Sequence, residues 1–319
     1  MHKENTDTKT TDFAALLSAG RPVVIDGGLA TQCEAMGCNI DGNLWSGVLL
    51  RDDPQSIVAA NRAYLDAGAR IVTTASYQAS RYGFMREGST ASEADTLVQS
   101  SVALARQARD EFVRDNPDAA MPLVAASIGP YGAVQHDGSE YTGDYDVSAD
   151  ELREFHRGRL ELLDTSDVDL LACETIPNAV EALVLGELLR DAQNSSWISF
   201  SCRDATHLAD GTPLAEVAGL FAEHPRVLAV GANCVPPDIV ESLIATLRSA
   251  APEKSIVVYP NSGEVYCVEN NTWLGTATPL QCEHAANEWI AAGATIVGGC
   301  CRIGPGQIAA MAQSVNNRR

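Results

Sequence analysis

Eight short apolar runs alternate with amphipathic segments along almost the whole 319-residue chain, and that alternation limits the possible folds more than any other feature. The runs cover 23–26, 71–76, 123–127, 170–174, 197–201, 227–233, 256–259 and 295–298. They are nearly continuous in apolar residues, the pattern of strands buried on both faces. Between them, 56–67, 92–114, 148–163, 178–190, 213–223, 236–250, 281–292 and 305–315 carry helical patterns. Several open on Ser, Asn or Pro, with Ser56 expected to cap the first, and two stop at Ala67-Gly68 and Ala292-Gly293. Strand–helix repeated eight times predicts an α/β fold, a single (β/α)8 TIM barrel. A doubly wound open sheet is the alternative, weakened by the absence of a G-x-G-x-x-G turn after the first run. The expected division is a disordered polar tail over 1–12 and one barrel domain over 13–319.

Composition narrows the function classes. Lys plus Arg is 22 and Asp plus Glu is 42, a net charge of −20. That balance argues against nucleic acid and against anionic membrane surfaces. No stretch is apolar for the length a membrane span needs. The nine cysteines are an odd number, and the first twelve residues are polar rather than leader-like, so a reducing, cytoplasmic setting is expected. No exposed amphipathic element stands out as an interface, and a monomer is expected.

In a barrel, the residues that follow the strands gather at one mouth. Cys234 closes the sixth run; Cys300 and Cys301 close the eighth, after Gly298-Gly299. Adjacent strand residues point to opposite sides, so both thiols reach one metal only if the backbone leaves β geometry. The two glycines are expected to permit that turn. Three thiolates suit Zn²⁺ with a fourth corner open, the pattern of a catalytic zinc. Two other readings stand beside it: inert buried thiols, or a 300–301 disulfide. Cys202, at the end of the fifth run, is the rival ligand.

Asp26 and Glu174 end the first and fourth runs, across the mouth from each other. A buried carboxylate needs a partner, which is either a substrate ammonium or a structural cap or salt bridge. Gly27 and Gly28 allow close approach, and their N–H groups suit a carboxylate. Zinc for a thiol, carboxylates for an amine and N–H donors for a carboxylate together describe a thiol-bearing amino acid. Two connections are long, 129–147 and 261–280, as functional loops often are. Tyr141, Asp144 and Tyr145 in the first face either a cation or solvent. His136 and His207 read as structural or surface residues.

Several motifs together resemble the homocysteine S-methyltransferase family. They are Asp26-Gly27-Gly28-Leu29-Ala30-Thr31, Thr74-Ala75-Ser76-Tyr77-Gln78, Ala126-Ser127-Ile128-Gly129-Pro130-Tyr131, Asp137-Gly138-Ser139-Glu140-Tyr141, Ala172-Cys173-Glu174-Thr175, Asn233-Cys234, Tyr259-Pro260-Asn261-Ser262-Gly263-Glu264 and Gly298-Gly299-Cys300-Cys301-Arg302. The loop over 137–141 and the stretch over 259–264 look most similar to members that use S-methylmethionine. The resemblance implies a zinc barrel with Cys234, Cys300 and Cys301 as ligands. It places Asp26 and Glu174 on the homocysteine amine and Gly27 and Gly28 on its carboxylate, with Ser127 and Asn233 expected beside the substrate. The implied reaction moves a methyl group from a sulfonium donor, S-methylmethionine or S-adenosylmethionine, to L-homocysteine, giving methionine. Betaine as donor, selenocysteine or selenohomocysteine as acceptor, a binding protein without turnover and a thiol–disulfide oxidoreductase are the rival readings. Ala232 and Ile303-Gly304 depart from the residues common in relatives, and neither touches an expected ligand.

Overall fold

The computed structural model describes residues 12–40, 42, 44–135, 137–267, 272–274 and 282–317, and only the backbone of 265–267 and 272–274. The polar tail up to residue 11 and His136 lie outside the described residues. The strands are β1 (Val23–Val24), β2 (Ile71–Thr73), β3 (Leu123–Ile128), β4 (Leu170–Ile176), β5 (Ser196–Phe200), β6 (Val227–Asn233), β7 (Ser255–Tyr259), β8 (Val265–Cys267), β9 (Thr272–Leu274) and β10 (Ile296–Val297). Eight of them form one parallel sheet in the order β1-β10-β7-β6-β5-β4-β3-β2. The two outer strands then meet. Ile25 bridges Ile71 in parallel, the Arg70 N–H donates to Val24 O at 2.7 Å, and the Asp26 N–H donates to Ile71 O at 3.1 Å. That closure makes the sheet the expected barrel and excludes the open sheet.

The continuous apolar runs follow from two separate apolar layers. Residues such as Val23, Ile25, Ile71, Leu123, Leu170, Trp197, Val257 and Ile296 fill the barrel interior. Their strand neighbours, among them Val24, Val72, Val124, Leu171, Ile198, Val230, Val258 and Val297, pack outward under the helices. Alternation therefore sends both residues of each pair to apolar surroundings. A short helix, Phe13–Ser18, is capped by Asp12, whose carboxylate accepts the Ala15 N–H at 2.6 Å. It runs directly into β1 and so lies at the N-terminal end of the barrel. There Phe13 packs against Trp197, with ring centroids 6.1 Å apart.

Several element boundaries differ from the sequence reading. The first long helix is Pro54–Asp66 with Asp53 at the cap position; Ser56 lies inside it and donates to Asp53 Oδ2. Pro54 decides this, because its missing N–H is no loss at a first helical position. The next long helix, Ala91–Asp115, starts at a Thr90–Glu93 capping box rather than at Ser92. Segment 213–223 shortens to Leu214–Gly219, and 236–250 divides into a 3₁₀ turn, Pro237–Ile239, and a helix, Val240–Ala250. The helix Leu29–Ala35 after β1 was not foreseen. The long connections hold structure of their own: a helix at Tyr131–Gln135, a 3₁₀ turn at Ser139–Tyr141, and the antiparallel pair β8–β9. Among the described residues, no helix is long and apolar enough to cross a membrane.

Candidate metal and substrate site

The three cysteines converge because the extension of β7 lies between the two segments that carry them. Its backbone binds each side in turn. Tyr259 O accepts the Cys234 N–H at 3.2 Å, and Pro260 O accepts the Cys300 N–H at 2.8 Å. The Asn261 N–H then donates to Val235 O at 3.1 Å, and the Ser262 N–H to Cys301 O at 3.2 Å. Proline fits at 260 because only its carbonyl is used. The departure from β geometry falls on Cys234, with φ +52°, and Arg302, with φ +62°. It does not fall on the glycines, as the sequence reading expected. Gly298 and Gly299 serve close packing instead: a Cβ on Gly298 would meet Ile25 Cγ1 at 2.3 Å, and one on Gly299 would meet Ile303 Cγ2 at 2.1 Å.

Cys234 and Cys300 are joined as a disulfide across a Cα–Cα distance of 5.5 Å, within the ordinary range for such a bond. This replaces the 300–301 pairing considered from sequence. Cys301 carries the free thiol, its sulfur 3.7 Å from that of Cys234 and 3.9 Å from that of Cys300. Sulfurs about 2.3 Å from one tetrahedral zinc stand roughly 3.8 Å from each other, so both separations suit that ion. The full donor set exists once two electrons and two protons have opened the disulfide. Burial, reinforced by the Glu140 carboxylate, pushes the Cys301 thiol up to about 12. A thiolate there needs a cation beside it. Among the described residues these three cysteines are the group whose donor atoms lie close enough to share a metal. The rival Cys202 points elsewhere, its thiol 3.9 Å from Phe200 O.

Both expected carboxylates line the same cleft. Asp26 Oδ2 accepts the Thr73 N–H at 2.6 Å and its hydroxyl at 2.9 Å. Burial nevertheless raises Asp26 to about 7, against the pull of those bonds, and Glu174 adds to the rise. Glu174 accepts the Ser127 hydroxyl on one oxygen and the Tyr259 hydroxyl, at 2.9 Å, on the other. Burial raises its pKa as well, opposed by those two bonds. Neither carboxylate has a salt bridge among the described residues, and each is held by neutral hydrogen-bond donors instead.

The remaining expected contacts divide. Gly27 and Gly28 line the cleft, but the Gly28 N–H is already donated to Ile303 O at 3.2 Å. Asn233 also lines it, with its amide engaged. Its oxygen accepts the Thr175 N–H and the Ser199 hydroxyl, each at 2.7 Å, and its nitrogen donates to Thr175 Oγ1 at 2.7 Å. That clamp holds Thr175 at φ +61°, a left-handed value that a β-branched residue rarely adopts.

Sequence reasoning left Thr73, Tyr259, Trp45 and Tyr77 without roles. Tyr259 carries a visible signal, an aromatic with a polar tip at the end of an apolar run. Trp45 stands in Leu44-Trp45-Ser46, another stretch that resembles the family, but its φ of +46° is a property of the loop that residue type does not show. Trp45, Tyr77 and Tyr141 give the cleft an aromatic wall. Tyr145 turns inward and donates to Glu181, which also accepts from His156 Nε2 and the Tyr131 N–H, both at 2.6 Å. Asp144 is not among the lining residues. His207 is tied to Asp204 in its own loop.

A family model described as homocysteine S-methyltransferase matches residues 23–315, which takes in every strand and every residue of the cleft. The chain belongs to the homocysteine S-methyltransferase family. A homocysteine S-methyltransferase of Bacillus subtilis (strain 168) is 44% identical over 300 residues, covering 92% of this chain and 95% of its own. One from Escherichia coli (strain K12) is 43% identical, covering 93% and 96%. Among solved structures, the metallated form of the Escherichia coli homocysteine methyltransferase MmuM superposes with a TM-score of 0.84 at 41% identity, covering 94% of this chain and 98% of that one. Its oxidized form gives 0.85 at the same identity and coverage. Ile303 packs on Gly299, and its carbonyl accepts both the Gly28 N–H and the Tyr64 hydroxyl, so position 303 joins the cysteine turn to the β1 loop.

Proposed function

We propose that this chain transfers a methyl group from a sulfonium donor, S-methylmethionine first among them, to the thiolate of L-homocysteine, giving methionine. The observation that carries the reading is the meeting, in one cleft, of three cysteine sulfurs and two buried carboxylates without cationic partners. Homocysteine presents a thiol, an ammonium and a carboxylate, and the donors in the cleft match these groups. The family membership and the activity in the relatives' names support the same reading.

Cys234, Cys300 and Cys301 would hold zinc. A free thiol of this kind ionises near ~8.5, and zinc bound there would supply it as a thiolate at neutral pH. Asp26 and Glu174 take the ammonium, which relieves the cost of burying two carboxylates. The Gly27 N–H faces the carboxylate. The aromatic faces of Trp45, Tyr77 and Tyr141 attract the sulfonium charge without offering it a nucleophile. The thiolate forms a bond to the donor's methyl carbon as the carbon–sulfur bond of the donor breaks. The electron pair returns to the donor sulfur, which leaves as a neutral thioether. No general base acts at the methyl carbon, and the protein's part is positioning and exclusion of water.

Cys301→Ser tests the assignment. The variant is expected to lose zinc and methyl transfer together while keeping a cooperative melt. A zinc-replete, active variant contradicts it. Betaine and S-adenosylmethionine, assayed beside S-methylmethionine, rank the donor class.

A further inference from the structure

The β7 extension grips the cysteine turn by its backbone through Ser262, and two residues later it grips the turn again by a side chain. Glu264 is buried at 8% side-chain exposure, and its Oε2 accepts from Arg302 Nε at 2.5 Å. The same oxygen accepts the Ser262 hydroxyl at 2.8 Å. Ser262 in turn donates its N–H to Cys301 O. Residues 262–264 therefore hold both ends of the Cys301–Arg302 peptide unit. From the opposite side, Thr31 Oγ1 accepts the Arg302 N–H at 3.0 Å and the Tyr64 hydroxyl reaches Ile303 O at 3.0 Å.

The grip falls where the turn is least willing to stay. Arg302 sits at φ +62°, a left-handed conformation that an L residue with a long side chain adopts only at a cost. If Arg302 relaxes to ordinary geometry, the Cys301 carbonyl and sulfur swing with it. Gly263, at φ +90°, lets the chain reverse between Ser262 and Glu264, and its N–H is tied to Asn261 Oδ1 at 2.9 Å. The Glu264 carboxylate also answers the charge of the guanidinium beside the cysteine turn.

We propose that Glu264 is a positioning residue for the metal centre, acting through Arg302 to hold Cys301 in ligating geometry. Its role is to set how tightly the three-cysteine site keeps its metal. Residues that orient ligands in this way typically change metal affinity by about 10–100-fold when altered. The inference rests on the zinc reading of the cysteine cluster.

The test is competition for Zn²⁺ between the reduced, full-length protein and a chromogenic chelator, with thermal melting of the zinc-free proteins alongside. Glu264→Gln keeps the shape of the side chain and removes its charge; Glu264→Ala removes both. The expected result is a fall in zinc affinity of about tenfold or more in both, with zinc-free melting temperatures near that of the unaltered protein. Arg302→Gln should show a similar fall. The double variant Glu264→Gln/Arg302→Gln should be no weaker than the weaker single, because the two residues act as one unit. Zinc affinity within about twofold of the unaltered protein in both Glu264 variants overturns the inference. Additive losses in the double variant also overturn it, as does a loss explained by a matching collapse of zinc-free stability. Unaltered protein that binds no zinc when reduced overturns the zinc reading itself, and this inference with it.

Discussion

At the scale of single residues, burial works against the charged forms of both carboxylates that line the cleft. Asp26 is the clearest. Its acid form is favoured in the folded protein, with a pKa of about 7 against an unfolded value of 3.8. A group raised in this way contributes stability that is fully present below the unfolded value and is lost as pH rises through the folded one. The ligand-free protein should therefore lose stability between about pH 4 and pH 7 on this account. Asp26→Asn removes that loss while leaving an oxygen to accept from Thr73. We expect the variant to melt higher than the unaltered protein at pH 8, by a margin that shrinks at pH 5, and to bind homocysteine poorly. Melting curves at the two pH values check it; a margin independent of pH contradicts the desolvation account. Asp26, Glu174 and the three cysteines were legible in the sequence because each stands at the end of an apolar run, and strand ends form the mouth. Trp45 and the engagement of the Gly28 N–H were not, since both depend on how distant loops pack.

At the scale of elements, β7 organises the site while contributing none of the three cysteines. Its extension presents two carbonyls and then two N–H groups to the segments on either side. On the other flank, Asn233 at the end of β6 reaches back to fasten Thr175 at the end of β4. Asn233→Ala leaves the buried Thr175 N–H unsatisfied and frees its strained backbone. We expect a loss of about 2–3 kcal/mol, from an orphaned donor and a broken network, and a rise in homocysteine KM larger than that in donor KM. Denaturant unfolding and steady-state kinetics measure both. An unchanged unfolding midpoint would remove the clamp from the account. The eight strands could be placed from sequence because apolar runs bounded by polar breaks have few other uses in a chain of this length. Helix starts were less legible. Ser56 and Ser92 are sound capping residues by type, yet Asp53 followed by Pro54, and Thr90 paired with Glu93, hold the actual positions because they meet the helix two or three residues earlier. The turn at the cysteines was anticipated, but its place was not. The glycines before it answer a packing limit set by Ile25 and Ile303, residues remote in sequence from one another.

At the scale of the whole molecule, the barrel brings residues 26, 174, 234, 300 and 301 to one rim without any local motif joining them. Closure through Ile25 and Ile71 is what makes that rim a ring, and the Phe13 helix fills the opposite end of the barrel. Eight strands alternating with helices favoured this architecture from sequence, and closure decides it against the open sheet. The sulfurs of Cys234, Cys300 and Cys301 meet at that rim, with Cys234 and Cys300 joined in this structure. The most direct test of the account is methionine formation from L-homocysteine and S-methylmethionine by the reduced protein, measured as isolated, after chelation of metal, and after return of Zn²⁺. The account predicts turnover that disappears on chelation and returns with zinc. Turnover indifferent to chelation, or none from a folded, zinc-loaded sample, would contradict it.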